Sequence, residues 1–102
     1  MSTLHTVNKS PFANSSMQSC LSHTIKGDAV LMIEDGVYGA SKGSAMSAAV
    51  AAKNGEIEIY ALKGDLAARG IDEAKLIEGI KIVDYVGFVE LAAKHDLANA
   101  WL

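Results

Sequence analysis

Short apolar runs alternate along the chain with segments whose apolar residues are spaced as in helices. The most continuous run, Ala29 to Ile33, has no polar residue, which is typical of a strand covered on both faces in a parallel sheet. Three further runs are short, rich in β-branched or apolar residues and bounded by turn residues. They are Thr3 to Val7, Ile57 to Leu62 and Ile80 to Val83. The pattern therefore predicts about four strands.

Helices are predicted between these strands. The first begins either at Ser10, before Pro11, or at a capping box formed by Ser15 and Gln18, and it ends near Thr24 to Gly27. The other predicted helical segments are Ala40 to Ala52, ended by Asn54 and Gly55; a short turn from Asp65 to Arg69; Ile71 to Glu78; and Tyr85 to His95, capped by Asp84.

Strands that alternate with helices are typical of βαβ units, whose right-handed crossovers produce a mainly parallel sheet with helices on both faces. We therefore expect an α/β fold, namely a small three-layer α/β/α domain. The length of 102 residues suits one domain, spanning residues 1–102, and no linker-like segment interrupts it.

Composition and charge exclude several classes of protein. Half of the residues are hydrophobic and 21% are charged, which excludes a disordered chain and predicts association, because so small a domain cannot hide this much apolar material. The net charge is −3 and the Lys and Arg residues are scattered, so direct nucleic-acid binding is not expected. Without a leader-like start or a long apolar run, we expect a cytoplasmic protein with no membrane span.

The glycines after the Ala29 to Ile33 run invite comparison with phosphate-binding loops. Gly36, Gly39 and Gly43 match neither the dinucleotide fingerprint nor the Walker loop, and Glu34 and Asp35 put negative charge where a phosphate would bind. A structural turn is the better interpretation, with a small-ligand module over residues 36–38 as a weaker alternative.

The histidines do not form a metal-binding pattern. His5, His23 and His95 are too far apart in the sequence for a known ligand motif. We therefore predict no metal and no cofactor.

Cys20 is the single cysteine of the chain. Helical spacing from Met17 places it on or beside the inward face, where a thiol behaves as a small inert apolar group. A position near a helix C-terminus also disfavours the thiolate. Activation would need another group, and His23, Lys26 or a partner subunit are the candidates.

Three blocks of residues resemble the DsrH/TusB family. The match extends over nearly the whole chain, which is identified on this basis as a DsrH-like protein. The blocks are His5 to Phe12, Val30 to Tyr38 and Val83 to Leu91, followed by His95 and the terminal Trp101 and Leu102.

The resemblance implies a subunit of a heterohexameric sulfur-relay complex with two copies of each of three related chains, like DsrE-DsrF-DsrH or TusB-TusC-TusD. DsrE-like and DsrF-like subunits would be its partners, and a DsrC-like or TusE-like protein would accept the sulfur. In the family, persulfide sulfur passes from cysteine to cysteine, and the main sulfur-accepting cysteine belongs to the DsrE or TusD partner. No metal or nucleotide is implied.

Cys20 bears on the branch of the family. TusB-type members generally lack a cysteine in this helix, whereas DsrH-type members resemble this chain in having one. The resemblance thus favours dissimilatory sulfur oxidation, with Cys20 as the candidate catalytic residue that carries persulfide and makes the chain a sulfurtransferase component. The alternative is a non-catalytic structural subunit of a TusBCD-like complex for 2-thiouridine synthesis in tRNA.

Overall fold

The computed structural model describes residues 2–43, 46–53 and 55–102, and its strands form one parallel five-stranded sheet. Every hydrogen-bonded pair of strands is parallel, in the order β4-β3-β2-β1-β5. This confirms the predicted α/β class. The strands are β1 (Thr3–Val7), β2 (Ala29–Met32), β3 (Glu58–Leu62), β4 (Lys81–Val83) and β5 (Leu97–Trp101).

In the part of the chain that the structure describes, four α-helices and two 3-10 helices connect the strands. The α-helices are α1 (Ser16–His23), α2 (Ser47–Lys53), α3 (Lys63–Ala68) and α4 (Tyr85–Lys94), and the 3-10 helices are Glu34–Ala40 and Glu73–Lys75. Helix α1 follows the Ser15 alternative rather than the start at Ser10, although the side chain that binds its first N–H is that of Asn14. The predicted cap of α4 is confirmed, because Asp84 accepts the N–H of Gly87 at 2.8 Å.

Several predicted helix boundaries were wrong. The segment predicted as one helix from Ala40 to Ala52 is the end of the first 3-10 helix followed by α2, and the break predicted at Asn54 lies outside the described residues, as do Ser44 and Ala45. The helix predicted over residues 71–78 is only the three-residue 3-10 helix, capped by the side chain of Asp72.

Asp65 does not cap a helical turn as predicted, since it lies inside α3. Its carboxylate instead accepts the N–H of Glu34 at 2.7 Å. Glu34 has a positive φ of 49°, a conformation that costs free energy in a residue with a side chain. The hydrogen bond from Glu34 to Asp65 therefore helps to hold a strained turn.

The fifth strand was missed by the sequence prediction. The segment Leu97–Trp101, for which the sequence pattern predicted no strand, pairs with β1 in parallel from Thr3 to Val7. It therefore joins one end of the described chain to the other.

The direction of the crossovers explains the layers. Successive connections from β1 to β4 move one way along the sheet, while the return from β4 to β5 moves the other way and, being right-handed, lies on the opposite face. We call the two surfaces the α1 face, which α1, α2 and α3 cover, and the α4 face, which α4 covers alone. Buried residues form a large cluster on the α1 face and a smaller one on the α4 face, the latter comprising Leu4, Ala29, Leu31, Tyr60 and Leu91.

Candidate functional site

Cys20 lies on α1 and points into the large cluster of the α1 face. Its exposed fraction is 0%, so the predicted inward position is confirmed. Burial raises the pKa of the Cys20 thiol to about 12, and the negative charge of Asp28 adds to that rise. The neutral thiol is therefore the form present at physiological pH.

Neither of the two candidate activators on the chain lowers the pKa of the Cys20 thiol. His23 is exposed, its Nδ1 donates to the carbonyl oxygen of Ser19 at 2.7 Å, and its ring lies 5.4 Å from that of Trp101. Lys26 is exposed in the loop after α1. The charge that does act on Cys20 is the carboxylate of Asp28, whose sign opposes a thiolate.

A polar network near Cys20 connects β1 and β5 to the residue that precedes β2. Asp28, just before β2, contacts His5 of β1 through Oδ2 and Nε2 at 3.0 Å. The indole Nε1 of Trp101, in β5, donates to Nδ1 of His5 at 3.0 Å. The carboxylate of Asp28 also accepts the N–H groups of Thr3 and Ile25.

The network fixes the tautomer of His5. An indole N–H can only donate, so Nδ1 of His5 accepts and Nε2 carries the proton that is donated to Asp28. A carboxylate that orients a histidine is also found in general-base catalysis. Here Nδ1 of His5, the nitrogen that would take a proton, already accepts the indole N–H of Trp101. The His5–Asp28 pair therefore has a structural role.

Hydrogen bonds decide the charge of Asp28. Burial alone would raise the pKa of its carboxyl group, but the hydrogen bond from His5 and those from the N–H groups of Ile25 and Thr3 outweigh burial and lower the pKa below its ordinary value. Asp28 is therefore ionised across the physiological range. Sequence spacing gave no sign of this pair, because its two residues are 23 positions apart.

The glycine-containing segment after β2 is packed against the sheet. A Cβ on Gly36 would lie 2.1 Å from the carbonyl oxygen of Val7, so glycine is required there for close approach of the backbone. Gly39 is buried beside Met17, and Asp35 is engaged by Nε of Arg69 at 2.8 Å. These contacts support the structural interpretation of the glycines.

Exposed apolar side chains concentrate on α4 and β5. On α4, Tyr85, Val86 and Val89 are each more than half exposed, and Leu97 of β5 is 53% exposed. Apolar groups clustered at a surface mark contacts with other proteins. The signal that could have located them is that α4 is apolar around most of its circumference.

Within the ranges that the structure describes, no helix is long and apolar enough to cross a bilayer. The same residues contain no group of three or more His, Cys, Asp or Glu side chains arranged to hold a metal ion.

Structural likeness extends over the whole domain. The crystal structure of the ychN protein from E. coli superposes with a TM-score of 0.82 over 98% of this chain and 99% of that chain, at 16% identity. A protein of unknown function from Methanobacterium thermoautotrophicum gives a TM-score of 0.76 at 19% identity, over 97% and 96% of the two chains. At these identities the likeness shows the fold alone.

Sequence likeness identifies the family. Protein TusB of Escherichia coli strain K12 is 35% identical over 98 residues, which are 96% of this chain and 99% of that protein, and Protein TusB of Shigella flexneri matches equally. The family model described as DsrH like protein matches residues 9–97. The chain therefore belongs to the DsrH/TusB family.

Proposed function

We propose that this chain is a subunit of a cytoplasmic sulfur-relay complex and contributes structure and docking surface rather than carrying sulfur itself. Membership of the DsrH/TusB family supports the sulfur-relay role. The structural rather than sulfur-carrying role rests on the state of Cys20. This residue is fully buried in the core as a neutral thiol.

The chemistry of persulfide transfer explains why this state matters. The thiolate is the nucleophile in such exchanges. With a pKa of about 12, the thiolate fraction at pH 7 is on the order of 10⁻⁵, and a buried sulfur has no path to a donor. In this conformation Cys20 is therefore inert.

The exposed side chains of α4 support the partner role. Tyr85, Val86 and Val89 present apolar surface to solvent on a helix that already covers its sheet with Leu91 and Phe88. A DsrE-like or DsrF-like subunit that packs against this helix would remove that surface from water. In a heterohexamer of two copies of each chain, a DsrC-like or TusE-like acceptor would then dock on the assembled surface.

Intact-mass analysis of the reconstituted complex tests this proposal. This chain is co-expressed with a DsrE-like and a DsrF-like subunit, and a persulfide donor is supplied. We expect the +32 Da product, about one sulfur atom, on the DsrE-like subunit and not on this chain, and we expect Cys20→Ala to leave transfer to the acceptor unchanged. A +32 Da product on this chain that Cys20→Ala abolishes would contradict the structural role.

The second candidate is a DsrH-type sulfur carrier, which the presence of the thiol in α1 favours. The Cys20 thiolate would attack the outer sulfur of a donor persulfide, forming Cys20–S–S⁻ as the donor leaves as a thiol after protonation. The S–S bond of the donor breaks as the new one forms, so no external oxidant is needed. This function requires partner binding to displace α1, and it predicts that Cys20 reacts with iodoacetamide in the complex but not in the free chain.

A further inference from the structure

β5 is an edge strand of the sheet, and no other strand among residues 2–43, 46–53 and 55–102 pairs with its outer side. The strand has five residues, Leu-Ala-Asn-Ala-Trp, of which the first four are exposed, and it contains no charge and no proline. At the opposite edge of the sheet, β4 has three residues and carries an exposed Lys81 paired with Glu58. Short length and lysine are two ways in which proteins block edge pairing, and β5 has neither.

The hydrogen bond at the start of β5 shows which backbone groups point outward. Leu97 donates its N–H to the carbonyl oxygen of Ser2, toward β1. Because strand residues alternate in direction, Asn99 and Trp101 also direct their backbone groups to β1, whereas those of Ala98 and Ala100 point outward. The free edge therefore offers two N–H groups and two carbonyl oxygens.

The sequence of β5 is complementary to itself when two copies run antiparallel about Asn99. Ala98 then faces Ala100 of the second copy, and each such pair exchanges two backbone hydrogen bonds. Leu97 faces Trp101 of the second copy, and the two Asn99 side chains face one another. Every facing pair thus matches apolar with apolar, small with small, or amide with amide, and no like charges meet within the strand.

The side chains also fall on matching faces. In register with β1, Leu97 and Trp101 lie on the α1 face beside Thr3 and Val7. A two-fold axis perpendicular to the sheet keeps them on the same face in both copies, so the partly exposed ring of Trp101 covers the exposed Leu97 of the second copy.

We propose that β5 is a self-association edge, through which two copies of this chain join their sheets into one ten-stranded sheet with a two-fold axis at Asn99. Four backbone hydrogen bonds and two Leu97–Trp101 contacts hold the pair. The pairing does not depend on the sulfur-relay role, and in a complex that contains two copies of the chain it places those copies side by side.

Sedimentation velocity of the full chain over about 1 to 500 μM tests the proposal, because an edge of this size is at the small end of specific interfaces and associates weakly. We expect a monomer–dimer equilibrium. Hydrogen exchange at the amides of Ala98 and Ala100 should slow as the concentration rises, since these amides are hydrogen-bonded only in the dimer.

Two variants probe the edge separately from the fold. Ala100→Pro removes an outward donor at an edge position that tolerates proline, and Asn99→Lys places two cations at the axis. Each should raise the dimer dissociation constant by about tenfold or more, the equivalent of about 1.4 kcal/mol. The control Gln18→Lys makes the same amide-to-lysine change at an exposed position of α1. It should leave the dimer dissociation constant unchanged.

Trp fluorescence that matches the wild type at the lowest concentration, where both are monomeric, would show that each variant monomer is folded. A chain that stays monomeric throughout the concentration range, or that pairs only with a related subunit, would overturn the proposal. So would a dimer whose dissociation constant neither edge variant changes.

Discussion

The two faces of the sheet are built differently although the same strands form both. On the α1 face, three α-helices and a 3-10 helix enclose a large apolar cluster that contains Cys20 and lies beside the His5–Asp28 pair. On the α4 face, one ten-residue helix covers a small cluster and leaves Val86 and Val89 in solvent. The Cys20 thiol and the His5–Asp28 pair are thus buried, whereas the exposed surface of α4 is apolar.

The largest difference between the faces should appear in matched leucine truncations. Leu66 on the α1 face is 1% exposed and Leu91 on the α4 face is 7% exposed. We expect Leu66→Ala to lower the free energy of unfolding by about 3–5 kcal/mol and Leu91→Ala by about 2–3 kcal/mol, because a thinner layer can relax around the cavity. Urea denaturation of the isolated chain measures both. Equal losses would mean that the faces are equally well packed.

Removing Asp28 tests whether the polar network stabilises the α1 face. Asp28→Ala leaves His5 and the N–H groups of Thr3 and Ile25 without their acceptor. We expect the free energy of unfolding at pH 7 to fall by about 3 kcal/mol. The exposed Asp72→Ala, which removes a 3-10 helix cap, should cost about 1 kcal/mol or less.

The same variant has a pH signature. The pKa of Asp28 is lowered in the folded chain, so its stabilising contribution is complete above the ordinary aspartate value of about 3.9 and is lost as the pH falls through the lower folded pKa. The difference in the free energy of unfolding between the wild type and Asp28→Ala should therefore be constant from pH 7 to about 5 and become smaller below about pH 4. If this difference in the free energy of unfolding persisted at the lowest pH, the stabilisation by Asp28 would not be ionic.

The smallest of these effects concerns Cys20. Cys20→Ser buries a hydroxyl group among apolar neighbours and should lower the free energy of unfolding by about 1–3 kcal/mol if the thiol is a core group. At an exposed position of α4, Ala93→Ser also introduces a hydroxyl group. It should lower the free energy of unfolding by only about 0.5 kcal/mol, the difference in helix propensity. If thermal unfolding of Cys20→Ser matched that of the wild type, α1 would have to open easily enough for serine to find water.

The sequence was most informative where the pattern is local. The apolar run from Ala29, the cap at Asp84 and the inward spacing of Cys20 depend on neighbouring residues, and the structure confirms all three. Strand β5 escaped prediction because its Ala-Asn-Ala centre has low strand propensity, so its conformation is imposed by β1.

The network around His5 was equally beyond the reach of local patterns. Its acceptor Asp28 and its donor Trp101 are 23 and 96 positions away, and only the strand order brings them together. The role of Cys20 in sulfur transfer stays a prediction, since the family pattern and the geometry of the free chain favour different answers.

The pairing of β1 with β5 also imposes an order in time on a chain made from its N-terminus. Asp28 and His5 are made long before Trp101, whose indole N–H donates to His5. Synthesis at about 5–20 residues per second puts roughly 4 to 15 seconds between residues 28 and 101. Throughout that interval β1 has an open edge, and the buried carboxylate of Asp28 and imidazole of His5 lack the indole that seals them. Until β5 is made, the nascent chain can therefore pair wrongly at this edge of β1.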